Sequence, residues 1–218
     1  MNLDPATAPP RPDLVFLRRR SRPRATVRTQ PPPVPKIVPP RRFPATPVTA
    51  GSTTTLTPSN RMVILSRVQS GVGLLTVEAG RPAARLGCAY VLAGGQSSIV
   101  CHSAGIVSAP RTGRNPMILA RHHKLTVDLG QSRRLARLIF YGVAGVGSLV
   151  VTTFGGARIE APVAGPNAGI TVFLSVYNVD GELVLRAEPP NAAATVRNAC
   201  DAYGFDRISW RDEDNPVA

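Results

Sequence analysis

From Gly51 onward the apolar positions come in short β-prone runs cut by turn formers, which is the texture of a sheet protein. Thr53–Thr57, Met62–Ser66, Gly73–Glu78, Leu86–Leu92 and Ser97–Cys101 read as strands, separated by Pro58-Ser59-Asn60, Ser70-Gly71, Gly80-Arg81-Pro82 and Gly94-Gly95. An irregular basic stretch, Pro110–Asn115, precedes Leu125-Thr126-Val127, and further runs follow at Ala157–Val163, Ile170–Tyr177 and Glu182–Ala187. The last two are joined by Asn178-Val179-Asp180-Gly181, where Asp-Gly is a strong hairpin signal. One helix is expected: Asn191 can cap it, Val196, Ala199, Cys200 and Tyr203 share a face, and Gly204 stands where a left-handed cap would sit. A final strand is expected at Arg207–Trp210.

Leu138–Ala157 is twenty residues without a charge. A stretch of ~20 apolar residues can cross a bilayer. Here Gly142, Gly145, Gly147, Gly155 and Gly156 dilute it, and Thr152 and Thr153 continue a β-branched run. It therefore reads as a central hairpin of two buried strands, Arg137–Val143 and Leu149–Phe154, turning at Gly145-Val146-Gly147, with no transmembrane span.

Charge changes the picture at one end. The 218 residues carry a net charge of +13, and Met1–Ala50 holds ten basic residues against Asp4 and Asp13, with thirteen of the 22 prolines. Such a segment cannot build ladders and is expected to be a disordered tether. Leu14-Val15-Phe16-Leu17 is too short for a secretory core and precedes the arginines, so a cytoplasmic protein is expected. Arg18, Arg19, Arg20, Arg22 and Arg24 of the arm could clamp nucleic acid or an anionic membrane, or the arm could serve as a plain linker or peptide ligand. The expected division is arm 1–50, sandwich 51–211 and acidic tail 212–218, the tail being free to meet the arm.

Catalytic chemistry has no footing. No Ser-His-Asp grouping, phosphate loop or acid–base carboxylate pair stands out, so a non-enzyme is expected. Cys88, Cys101 and Cys200 lack Cys-x-x-Cys spacing and read as buried reduced thiols. Cys88, Cys101 and His102 with His122 or His123 have zinc-ligand chemistry but match no finger or ribbon spacing.

Leu86-Gly87-Cys88-Ala89-Tyr90-Val91-Leu92, the charge-free segment, Thr171–Asn178, Gly181–Arg186, Tyr203-Gly204-Phe205 and Trp210 resemble the TerD-domain proteins of tellurite-resistance and stress-response systems, especially their TerA-like branch. The resemblance spans about Ser52–Trp210. It implies a β-sandwich that binds calcium at loops of one end and joins protein complexes near the inner face of the membrane. At the family's paired aspartates this chain carries Ala83 and Arg85, and the family's second acidic loop corresponds to Ala109–Gly113, which has no carboxylate. An arginine at a ligand position opposes a dication, so no calcium or other cofactor is expected.

Arg81, Arg85, Arg111, Arg114, Arg121, His122, His123 and Lys124 fall in the same loop regions. If those loops cluster as the resemblance implies, they form a basic surface for an anion or acidic partner; the alternative is that they are solvated loop charges. The expected protein is mainly all-β, a sandwich of antiparallel strands with one C-terminal helix behind a basic proline-rich arm. Its expected role is a partner-binding scaffold of a stress-response complex, and the rival role is nucleic-acid or anionic-membrane association through the arm.

Overall fold

Alternation along the strands builds two facing sheets. The computed structural model describes residues 44–82, 84–111, 114–143, 146–162 and 169–217. The arm residues up to Phe43, including Arg18, Arg19, Arg20, Arg22 and Arg24, lie outside the described residues, as do Ala83, Gly113 and Gly145.

The elements run β1 (Thr46–Pro47), β2 (Thr53–Thr55), β3 (Met62–Ile64), α1 (Arg67–Gly71), β4 (Leu74–Ala79), β5 (Leu86–Leu92), β6 (Ser97–Cys101) and β7 (Ser108–Ala109). They continue with β8 (Ile118–Arg121), β9 (Lys124–Asp128), β10 (Leu135–Val143), β11 (Ser148–Thr152), β12 (Arg158–Pro162), β13 (Ile170–Val179), β14 (Glu182–Ala187), β15 (Ala192–Ala193) and α2 (Val196–Ala202). Short 3-10 turns occupy His102–Ala104 and Leu129–Arg134.

One sheet has the order β1-β3-β14-β13-β10-β5-β6, with β15 added beside β13; the other has the order β2-β12-β11-β4-β9-β8-β7. Pairing is antiparallel except at two edges, where β1 runs parallel to β3 and β2 parallel to β12. In the second sheet Leu75, Val77, Leu125, Val127, Leu149, Val151 and Ile159 point inward, and Thr76, Thr126 and Thr152 alternate with them on the open face. The first sheet is buried on both sides. Leu138 and Phe140 of β10 enter the space between the sheets, while Ile139 and Tyr141 pack beneath α2 with Val196, Ala199, Cys200 and Phe205.

That two-sided burial explains the missing charges along Leu138–Tyr141, since a strand covered on both faces has no solvated position. The expected hairpin is instead a crossing. β10 pairs with β5 and β13, whereas β11 pairs with β4 and β12, so the segment passes from one sheet to the other. Gly147 takes a positive φ of 81° at the crossing, and Val146 is fully buried in the core. Both strands exist, and the chain passes between layers rather than back along one.

Other boundaries also move. The sandwich begins before Gly51, because β1 pairs with Val63 and Ile64 and Val48 is in the core. Helix α2 is capped by Thr195, whose hydroxyl accepts from the Asn198 amide at 3.1 Å, and not by Asn191. The chain just before it is held extended, with Ala192 and Ala193 pairing to Thr171 and Ile170. Gly204 does adopt the left-handed conformation, with φ 72°. No strand forms at Arg207–Trp210; Trp210 makes only an isolated bridge to Pro216. The Asp212 carboxylate accepts from the Asp214 and Asn215 amides, reversing the chain so that Asp214 Oδ1 receives the Val196 amide at 2.9 Å. The acidic tail is thus part of the domain.

Candidate functional site

Three loop segments meet at the end of the sandwich where β4 passes to β5. Residues after Ala79 leave the second sheet and re-enter the first at Leu86. The β8–β9 turn lies beside them: Arg121 pairs with Lys124, Lys124 with Glu78, and the Ala79 amide donates to the His123 carbonyl at 3.0 Å. The third segment, His102–Ala104, follows Cys101, which pairs with Gly87 at the start of β5.

His122 and His123 are the two linking residues of the β8–β9 turn. His122 has φ 51°, a left-handed conformation that costs a non-glycine residue about 1–2 kcal/mol. In this conformation its ring meets that of His102, with centroids 4.4 Å apart and planes tilted by 40°. His123 turns the other way and its Nε2 lies 3.2 Å from Glu78 Oε1. The two neighbouring histidines therefore do different work, one anchoring the turn to β4 and one facing the cleft.

That cleft has a volume of 160 Å³ and presents Arg85, His102, Ser103 and His122 as its polar lining. Arg85 is fixed through its backbone. Its carbonyl oxygen would lie 2.8 Å from a Cβ added to Gly142, so only glycine in β10 permits this approach. Arg81 lies along Gly147, its Cγ 3.5 Å from where a Cβ would stand. Arg81, Arg85, Arg121 and Lys124 are exposed, and among the described residues none has a carboxylate within ion-pair distance.

The structure thus brings Arg85 and His122 to one cleft, with Arg121, His123 and Lys124 on the same turn and Arg81 on the loop before β5, beside Gly147. It places Arg111 and Arg114 elsewhere. β8 runs from Ile118, beside Val127, to Arg121, so the residues after β7 leave at the opposite end. There the Asn115 carbonyl accepts from Gln131 Nε2 at 3.5 Å, and Arg111 exerts its field on Tyr90. The zinc-type residues do not converge either. Cys101 Sγ is 3.1 Å from Ser103 Oγ, and among the described residues no three His, Cys, Asp or Glu side chains are close enough to hold a metal ion. All three cysteines are free and buried.

Sequence reasoning missed His102 and Ser103 as partners of Arg85, because no motif links the end of β6 to the β8–β9 turn. It also missed Glu188. That carboxylate is only 2% exposed and is held by Arg186 at 3.2 Å, by the Ser175 hydroxyl and by the Tyr203 hydroxyl at 3.4 Å. Burial, then the Glu188 charge, push the Tyr203 phenol up to about 12. Glu188 borders a 230 Å³ apolar cleft rimmed by Pro58, Pro162, Phe173, Pro189 and Pro190. Its oxygens are already taken, and the arrangement pins the chain after α2 to the first sheet.

No protein-family model, curated protein or solved structure matches this chain.

Proposed function

We propose that this chain is a non-enzymatic interaction module, a TerD-like sandwich of a stress-response or tellurite-resistance complex that docks an acidic partner protein on its β4–β5 end. The observation that carries the reading is the group Arg81, Arg85, Arg121 and Lys124, exposed on adjacent loops without a carboxylate partner among the described residues. Four such cations repel one another, and an acidic surface relieves that repulsion while steering its own approach. The two-sheet layout with Leu86–Leu92 as an inner strand supports the TerD likeness. Arg85 in place of an aspartate supports a site without calcium, since its charge opposes the ion.

In this reading the protein works in the cytoplasm, peripheral to the inner face of the membrane. No helix among the described residues is long and apolar enough to cross a membrane. The test is fluorescence anisotropy with a labelled peptide of Asp and Glu residues, titrated with the wild-type chain and with an Arg81→Glu/Arg121→Glu/Lys124→Glu variant. Salt-sensitive binding by the wild type alone supports the reading; equal binding by both removes it.

The ten basic residues of Met1–Ala50 favour a second reading, in which the arm associates with nucleic acid or an anionic membrane. Deleting residues 1–43 and measuring salt-dependent binding to DNA and to anionic liposomes tests it. Unchanged binding to both would remove the arm from the mechanism.

A further inference from the structure

We propose that the cleft between the loop before β5, the turn at His102–Ala104 and the β8–β9 turn is a binding site for a compact doubly charged oxyanion of the phosphate type. The proposal rests on the basic end being the docking face and names the group that enters it.

The lining has the required chemistry. Arg85 offers a planar fork suited to two oxygens of a phosphate, the imidazoles of His102 and His122 carry ring N–H donors, and Ser103 adds a hydroxyl. Among the described residues no carboxylate lines the cleft, and the nearby Glu78 is engaged by His123. Arg81 and Lys124 stand on the same loops and add to the positive potential. A volume of 160 Å³ admits a phosphate monoester but not a large apolar ligand. The geometry disfavours a cation, because Arg85 shares the lining and no third metal-ligating side chain joins the two histidines among the described residues.

A cleft holding Arg137, Asp206 and Arg207 is less suited to an anion, because a carboxylate lines it and one of its arginines is engaged. Val91, Ser97 and Phe205 line it as well, and the Arg137 guanidinium donates to the carbonyls of Tyr203 and Gly204 and lies over the Phe205 ring.

The experiment is a thermal-shift and calorimetric titration of the full chain with inorganic phosphate, against sodium chloride of equal ionic strength. Saturable stabilisation by phosphate is expected, because a ligand that binds only the folded state raises its melting point. His122→Gly is expected to melt higher than wild type without phosphate and to bind phosphate about tenfold more weakly, the worth of one lost charge-assisted hydrogen bond. Arg85→Gln should lose binding more completely. Phosphoserine and serine as further probes separate the sources: binding of phosphoserine assigns the site to a phosphorylated residue of a partner, and binding of inorganic phosphate alone assigns it to the free ion. No saturable shift, an equal shift with chloride, or undiminished binding in both variants overturns the proposal. If phosphate binding fails while the acidic peptide still distinguishes wild type from the Arg81→Glu/Arg121→Glu/Lys124→Glu variant, only the cleft is refuted and the docking face stands.

Discussion

Asp214 Oδ1 accepts a hydrogen bond from the Val196 amide at 2.9 Å, so the last acidic residue of the tail closes the first turn of α2. Glu213 joins it, its backbone carbonyl receiving the Arg197 amide at 3.0 Å. Two of the helix's unpaired donors are thereby satisfied by a segment that composition alone marks as a solvated terminus. Asp214→Ala should lower the unfolding free energy by about 1 kcal/mol in urea denaturation. An unchanged midpoint would show that the tail only rests on the helix.

The same turn responds to acid. The Asp212 carboxyl is held below its usual range, first by the Asp214 amide and then by the Asn215 side chain. A depressed folded value contributes stability above the ordinary carboxylate range, and that contribution is lost as pH falls through the folded value. Asp212→Asn should therefore flatten the acid limb of the stability profile; an acid limb identical to wild type would contradict the assignment.

Alkaline conditions act through a different set of groups. Burial, then the Asp201 charge, push the Cys200 thiol from its ordinary 9.0 up to about 12, and burial raises Cys88 further. A raised folded value means that stability is full below pH 9.0 and is lost as pH climbs toward 12. At neutral pH a thiol reagent should leave Cys88, Cys101 and Cys200 unmodified until denaturant is added, because all three are buried. Rapid labelling of the native protein would show that the sheet opens more readily than its packing implies.

The outward faces of the two sheets give a contrast in mutational cost. Ile139 is 1% exposed and packs beneath α2, so Ile139→Ala should cost about 2–5 kcal/mol by urea denaturation. Val150 lies on the less covered face of the second sheet, and Val150→Thr should stay within about 0.5 kcal/mol. Similar costs at both positions would mean that the second sheet is covered as well.

Calcium tests the proposed calcium-free site. The TerD resemblance implies an aspartate where Arg85 stands, so micromolar calcium is expected to leave the melting temperature unchanged, and stabilisation seen by differential scanning fluorimetry would overturn that reading.

The fold was legible where side chains alternate or run continuously apolar. Leu86–Leu92, Ser97–Cys101 and Glu182–Ala187 are strands with the expected bounds, and Asp180-Gly181 turns with both residues at positive φ. Ile118–Arg121 was not legible, since the turn after Arg121 is made by two histidines rather than by glycine or asparagine. α1 was hidden because it is one short turn closed by a box in which Ser66 and Gln69 cap each other. Layer assignment was the deeper failure: glycines between Leu138 and Ala157 announce a turn but not whether the chain stays in its sheet. For the same reason the loop arginines could be enumerated but not sorted. Arg111 and Arg114 separate from Arg85 only once the direction of β8 is known.

The crossing segment touches both arginines of the loop before β5, Gly142 beneath the Arg85 carbonyl and Gly147 alongside Arg81. It therefore acts as a gauge that transfers the spacing between the two layers to the spacing of the cationic groups. A methyl group at Gly142 would stand 2.8 Å from the Arg85 carbonyl oxygen, so it would shift Arg85 and weaken recognition without removing any contacting side chain.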